Sequence, residues 1–322
     1  MRIASVSCLW DKAQHNAFTD LVRFNGQLIC CFREASTHIS PDGNICLVYF
    51  DAKRQIKEHL RIRLPDCDLR DPKLSVTPDG KLLLLAYAKF FEGSADGRHT
   101  SAAIWTSSDG NSFSQHRTIA ERQWWLWRVR WHKNSQVCGN NVAQKAYGFA
   151  YNRSQERIKL YAGDPRRAFH LVQDEALSKR KHNLGYPNES DMLFRDNTAF
   201  ALVRRDADRC SAQLGVATYP FVNWRWHDLK VYIGGPVMTW LDDESIIIAG
   251  RIWYQRQFKT ALLTLNLKTK NLRLACILPS AGDNSYPGLV KDNEQLLVSY
   301  YSSHQYQKSN IYLAEVQLES VS

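Results

Sequence analysis

Six times along this chain of 322 residues an alternating apolar strand leaves a short polar turn and ends on a large polar residue: Arg33, Tyr87, Tyr151, Arg204, Arg251 and Tyr301. In five of the six, that residue stands seven places after a turn, namely Asn25-Gly26, Asp79-Gly80, Asp196-Asn197, Asp243-Glu244 and Asn293-Glu294. A unit of several strands recurring every roughly 45 to 60 residues buries its faces only by stacking on its own copies, which is the signature of a β-propeller blade. The expected fold is all-β: a six-bladed β-propeller of four-stranded antiparallel blades, forming one domain over residues 1–322.

Length alone would suggest about two domains of ~150 residues. No Pro/Gly/Ser-rich linker and no shift in composition divides the chain, and no stretch keeps a helical period. The first hairpin is Phe18–Phe24, Asn25-Gly26 and Leu28–Phe32, a strong turn signal between alternating strands. The third unit, built on Arg128-Val129-Arg130-Trp131 and Ala146–Tyr151, lacks that signal and is the least regular.

Charge narrows the partners. The chain carries 42 Lys and Arg against 32 Asp and Glu, a net charge of +10, which favours an anionic partner. The basic residues are spread over every repeat rather than gathered in one tract, which argues for an acidic sugar or glycan and against nucleic acid. Eight cysteines show no Cys-x-x-Cys pair and no small-domain framework. They read as small buried residues, with Cys30 and Cys31 on one strand and Cys46 on the next. With no HExxH, no Cys/His ligand cluster and no phosphate loop, no cofactor and no metal are expected. The start, Met1–Cys8, is too short in apolar residues for a secretory signal, and nothing later would insert in a membrane. A reduced, cytoplasmic setting is the expectation; oligomeric state is not legible.

In a four-stranded blade the starts of first strands and the ends of second strands share one face. Arg70, Asp71, Arg128, Glu189 and Tyr286, from strand starts, are thus expected on the rim that holds Arg33, Arg204, Arg251 and Tyr301. Three arginines there could hold a carboxylate with forked donors. Each could instead pair with its own acid, Arg33 with Glu34 or Arg204 with Asp206. Tyr286 and Glu189 stand at the same repeat position two blades apart, and a carboxylate beside a phenol can take its proton and make it a nucleophile. Taken alone, Tyr286 is a packed aromatic and Glu189 a strand-start cap. Among the aromatics, Trp131 reads as packing between blades; Trp124 and Trp125 are open to a sugar-stacking role.

The segments Ser285-Tyr286-Pro287-Gly288-Leu289, Glu189 with Arg204 in one blade, and Cys31-Phe32-Arg33-Glu34 resemble the sialidase (neuraminidase) superfamily of six-bladed propellers. Sialidases use a tyrosine nucleophile. The resemblance implies a glycoside hydrolase acting on a carboxylate-bearing sugar, with Tyr286 as nucleophile, Glu189 as its base, and Arg33 and Arg204 on the carboxylate. Arg251 joins them by repeat position. Arg70, Arg128, Glu34 and Tyr301 complete the candidate substrate-binding set. The general acid falls in the loop after Arg33, where His38 is nearest, with Asp42 and Glu34 as rivals; His304 is a second histidine near a rim strand. The Ser107–Phe113 loop looks like a shortened Asp-box. Two departures from the family stand out: blade one opens with Ala17-Phe18-Thr19 instead of an Arg-Ile-Pro type motif, an Arg-x-Pro standing at the inner-strand start of blade two as Arg70-Asp71-Pro72, and His38 stands nearest the place of the family's acid/base aspartate. A polysaccharide lyase on a uronate glycan and a non-catalytic glycan-binding propeller are the alternatives.

Overall fold

The structure is a computed structural model, and it describes residues 1–132, 144–305 and 308–318. Six antiparallel sheets follow one another in the order of the repeats, as a six-bladed β-propeller. Blade one consists of β2 (His15–Phe24), β3 (Gln27–Ala35), β4 (Asn44–Phe50) and β5 (Ile56–Ile62). Blade two holds β6 (Cys67–Val76), β7 (Leu82–Phe90), β8 (His99–Ser107) and β9 (Arg117–Ile119). In blade three the inner strand is broken into β10 (Trp125–Leu126) and β11 (Arg130–His132), followed by β12 (Lys145–Asn152), β13 (Arg157–Asp164) and β14 (Ala168–Ser178). Blade four is β15 (Pro187–Arg195), β16 (Thr198–Arg205), β17 (Gln213–Thr218) and β18 (Arg225–Asp228). Blade five is β19 (Gly234–Trp240), β20 (Ser245–Tyr254), β21 (Gln257–Asn266) and β22 (Leu272–Ile277).

Blade six takes β23 (Asn284–Asp292), β24 (Gln295–Ser302) and β25 (Asn310–Gln317), and its outer edge is covered by β1 (Arg2–Trp10) from the other end of the chain. That first strand was not anticipated. Pairing with β25, from the far end of the chain, gives it its place.

The chain divides into two compact units. One comprises Met1–Leu74, Ala88–His99 and Gly234–Ser322; the other comprises Ser75–Tyr87 and Thr100–Ile233. The first has a core in which Val237, Ile247 and Ala249 meet Val298, Tyr300 and Tyr312. In the second, Phe149, Leu160, Met192 and Phe221 form one cluster. Cys30, Cys31, Cys46 and Cys67 are buried as small core residues, whereas Cys8 is exposed.

The turn chemistry explains the hairpins. Asn25 and Gly26 adopt φ of 48° and 78°, as a two-residue turn that follows the strand twist requires. A second device recurs at the start of the inner strands. Register shifts between Ala17 and Asp20, Gly234 and Val237, and Ser285 and Gly288 mark β-bulges. The first bulged residue is left-handed each time: Phe18 at 62°, Gly235 at 58° and Tyr286 at 46°. Such conformations are costly for bulky residues and aim a side chain out of the strand's alternation.

Candidate active site

In the first unit, polar side chains converge on Asp283, which immediately precedes β23. Its Oδ1 accepts from the Tyr301 hydroxyl at 2.8 Å and faces Arg251 Nη1 at 3.5 Å. Its Oδ2 lies 3.7 Å from His15 Nε2 and 3.6 Å from His38 Nδ1, and the two imidazole nitrogens are 3.2 Å apart. Burial works to raise the Asp283 carboxyl, but the contacts from His15, His38 and Tyr301 and the charge of Arg251 outweigh it and hold the group well below the usual carboxylate range. Burial lowers the His15 imidazole; Asp283 opposes that and the Arg33 charge adds to it. Tyr301 is raised well above the usual phenol range, by burial first and then by the neighbouring Asp283 charge.

A buried ion network backs this cluster. Arg33 and Asp68 are both fully buried and meet at 2.6 Å. Arg33 Nη1 also donates to the Thr37 carbonyl at 3.0 Å and to His15 Nδ1 at 3.2 Å. Asp68 Oδ2 accepts from Arg70 Nη1 at 3.0 Å. Arg70 in turn donates to the His38 carbonyl, and its guanidinium lies 5.0 Å from the centre of the Phe18 ring. Two of the expected carboxylate ligands, Arg33 and Arg70, thus share one buried aspartate that the sequence reading passed over.

Tyr286 sits beside this network. Its left-handed backbone is held by Thr19 Oγ1, which donates to the Tyr286 carbonyl at 2.9 Å. Its ring meets Phe18 edge-on at 5.3 Å between centres. Arg251 Nη2 reaches the Tyr286 hydroxyl at 3.5 Å, and the guanidinium stands 5.3 Å from the ring centre. Gly235 is required here, because a Cβ on it would come within 2.9 Å of Tyr286 Cγ.

The second unit contains the remaining candidates. Glu189 Oε2 pairs with Arg204 Nη1 at 2.7 Å, and Asp206 Oδ2 takes Arg204 Nη2 at 2.9 Å. The pairing of Arg204 with Asp206 is the one expected of an arginine that answers its own acid. Arg128 lies in the break between β10 and β11, not within a continuous strand. It faces the buried Asp191 at 3.7 Å, and Arg130 grips the same carboxylate at 2.7 Å and 2.8 Å. Trp125 is stacked between Tyr87, at 3.8 Å, and Tyr151, at 5.7 Å, so both of its faces are taken. Trp124 is buried with Lys159 4.1 Å from its ring centre. Asp109, in the turn after β8, accepts from Ser107 Oγ and from the amides of Asn111 and Ser112, and so closes a local turn.

Strand register corrects one assignment. Arg33 pairs with Ala17, Arg251 with Gly234 and Tyr301 with Ser285; the residue in that position of blade four is Arg205, opposite Pro187. Between bulge and turn, blade four runs from Ser190 to Arg195, one residue longer than Asp20 to Phe24 in blade one. A shift of one residue moves a side chain to the other face. Arg205 is buried on Asp208 and the Gly185 carbonyl.

Three more candidates lie apart from the Asp283 cluster. Glu34 points to the face opposite Arg33, where it accepts from Trp10 Nε1 at 2.7 Å and Arg61 Nε at 2.6 Å. Asp42 is engaged within its own loop by the Ser36 amide and the Ser36 and Ser40 hydroxyls. Burial raises it, and those bonds together bring it below the ordinary carboxylate value. His304 turns back to Ser302 Oγ at 2.9 Å and packs on Tyr312.

His15, Asp68 and Asp283 were missed by sequence reasoning. They share a signal: each stands three residues before the left-handed residue of its inner strand, in His15-x-x-Phe18, Asp68-x-x-Asp71 and Asp283-x-x-Tyr286. The donor set His15, His38 and Asp283 is also of a kind that binds metal ions.

No family model matches the chain, and no curated protein matches it. Solved structures do. A protein of unknown function from Dyadobacter fermentans superposes with a TM-score of 0.74 at 16% identity over 99% of both chains. An α-L-arabinanase from Penicillium chrysogenum, solved with arabinobiose, gives 0.71 at 12% identity over 100% of both chains. The NanB sialidase of Streptococcus pneumoniae gives 0.68 at 11% identity, over 99% of this chain and 70% of its own. The likeness at these identities is one of fold: the chain has the six-bladed propeller found in sialidases and in an arabinan-degrading hydrolase. Among the described residues no helix is long and apolar enough to cross a membrane.

Proposed function

We propose that the protein is a glycoside hydrolase acting on a carboxylate-bearing sugar, with its reacting groups in the first unit. The observation that carries this reading is the placement of Tyr286: a phenol on a left-handed bulge, with Arg251 Nη2 at 3.5 Å from its oxygen and the Asp283 cluster ending in the exposed His38. In this reading the Tyr286 phenol gives its proton to water as its oxygen bonds the anomeric carbon, while His38 protonates the departing oxygen; His38 then takes a proton from the water that releases the sugar, and the departing phenolate regains its proton from solvent. Arg251 stabilises negative charge on the phenol oxygen or on the sugar carboxylate.

The test is turnover of a panel of sialosides and other ulosonic glycosides by wild type and Tyr286→Phe, with product ultraviolet absorbance recorded to expose β-elimination. Hydrolysis that vanishes in the folded variant supports the reading; an inert wild type, or an unsaturated product, defeats it. One observation favours a second reading, a neutral glycoside: Arg33 is fully committed to Asp68 with both side chains buried, so it is poorly placed to clamp a carboxylate. Arabinan oligosaccharides therefore belong in the same panel.

A further inference from the structure

We infer that His15, His38 and Asp283 form a site for a divalent first-row metal ion of the zinc class, and that an ion there blocks the acid role given above to His38. The argument begins with three distances. His15 Nε2, His38 Nδ1 and Asp283 Oδ2 are separated by 3.2, 3.7 and 3.6 Å. The two spacings to the carboxylate are too long for hydrogen bonds. They match the edges of a metal polyhedron: the point equidistant from all three atoms lies about 2.0 Å from each, the length of zinc–imidazole and zinc–carboxylate bonds.

Ligand chemistry agrees with the distances. Two imidazoles and one carboxylate suit zinc, cobalt or nickel rather than calcium or magnesium, which favour all-oxygen shells. Asp283 is oriented through its other oxygen by the Tyr301 hydroxyl at 2.8 Å, the kind of outer support that fixes a ligand carboxylate. Half of the His38 side chain is exposed, so an ion can enter from solvent and keep a water.

Two contacts oppose the ion and set its character: Arg33 Nη1 lies 3.2 Å from His15 Nδ1, and Arg70 Nη2 lies 3.4 Å from His38 Nε2. Arg33 can only donate, so its bond to His15 Nδ1 places the neutral ring's proton on Nε2, facing the other two ligands. With both rings in place, metal entry moves the His15 proton to Nδ1 and the His38 proton to Nε2, each facing a guanidinium that keeps its bonds to Asp68. Together with the positive charge of Arg33, Arg70 and Arg251, this makes the site reversible rather than a permanent structural centre. With His38 Nδ1 on the ion and its ring fixed, proton transfer from that imidazole stops. Only this last consequence rests on the proposed hydrolase reading.

The test is equilibrium dialysis and visible absorption of chelator-stripped protein titrated with Co²⁺, then with Zn²⁺. Wild type is expected to bind one Co²⁺ per chain with the absorption of a low-coordinate nitrogen/oxygen site, and Zn²⁺ is expected to displace it. His38→Ala, at an exposed position that leaves the fold intact by circular dichroism, should abolish binding. Tyr301→Phe should weaken it by about 10–100-fold, as loss of an outer partner does. No stoichiometric ion in wild type, or binding unchanged in His38→Ala, overturns the site. If Zn²⁺ binds but leaves turnover of a proven substrate untouched, the blocking role falls while the site stands. If no substrate is hydrolysed, the binding results alone still decide the site.

Discussion

Arg204 and Arg251 both sit near the ends of second strands, yet the two units use them in opposite ways. Arg204 is closed on both sides, by Glu189 at 2.7 Å and Asp206 at 2.9 Å. Arg251 reaches Asp283 and Tyr286 at 3.5 Å each, with Tyr286 and Phe258 flanking its guanidinium. A guanidinium in short contact with two carboxylates has little to offer an incoming anion, while one in long contact can shorten its bonds when a ligand arrives. The same contrast holds for the acids. Asp191 in the second unit is buried under two arginines, whereas Asp283 is about a third exposed and gathers imidazoles, a phenol and a guanidinium. The proposed function therefore puts the chemistry in the first unit and leaves this part of the second as scaffolding.

The sharpest way to break that assignment is Tyr286→Phe. Turnover of whichever glycoside the wild type cleaves should fall by at least ~10³-fold, as for loss of a nucleophile, with the melting temperature unchanged. A variant that keeps a tenth of its activity would move the chemistry elsewhere. The scaffold half is tested by Asp191→Asn. Removing the acid leaves Arg128 and Arg130 buried or half-buried without their shared charge, and should cost about 3–5 kcal/mol in urea unfolding. The folded fraction should keep its kcat. Loss of kcat without loss of stability would place Asp191 in the reaction and undo the comparison.

A smaller stability loss probes the bulge that presents Tyr286. A Cβ on Gly288 would lie 2.2 Å from the Leu21 amide nitrogen and 2.5 Å from the Asp20 carbonyl carbon, so Gly288→Ala must push β23 away from β2. A cost of about 1–3 kcal/mol is expected from such overpacking, with a fall in activity as Tyr286 shifts. Unchanged denaturation would mean that the two strands can part without loss.

The fold was legible because its turns are local. Asn25-Gly26 and Asp196-Asn197 announce hairpins whatever surrounds them, and the spacing from turn to strand end repeats. β1 was not legible, because its partner β25 lies some 300 residues away and neither sequence names the other. The site divides along the same line. Tyr286 and Arg251 were expected from repeat position and residue chemistry, and His38 from what the family resemblance implies for the loop after Arg33. His15, Asp68 and Asp283 were not expected, because their common position is defined by a left-handed residue three places on, which is a property of the folded backbone. The Arg204 and Arg205 exchange has the same cause: counting from the turn gives Arg204, and the longer inner strand of blade four moves the equivalent place to Arg205.

The smallest expected effect separates the two units by pH. His15 in the first unit is held below the ordinary imidazole value, by burial first, so on acidification the unfolded chain takes up its proton before the folded one does. Stability from this residue is complete above the unfolded value of about 6.5 and is lost as pH falls from there toward the native value. Asp283 has the carboxylate sign: its contribution is complete above about 3.9 and lost only below that. Urea midpoints of wild type should therefore drop between pH 7.5 and pH 5 by more than those of His15→Gln, which carries no titrating group. Asp191→Asn, altered in the other unit, should keep the wild-type slope over this range. If His15→Gln follows wild type in parallel, burial does not hold the His15 imidazole below its ordinary value.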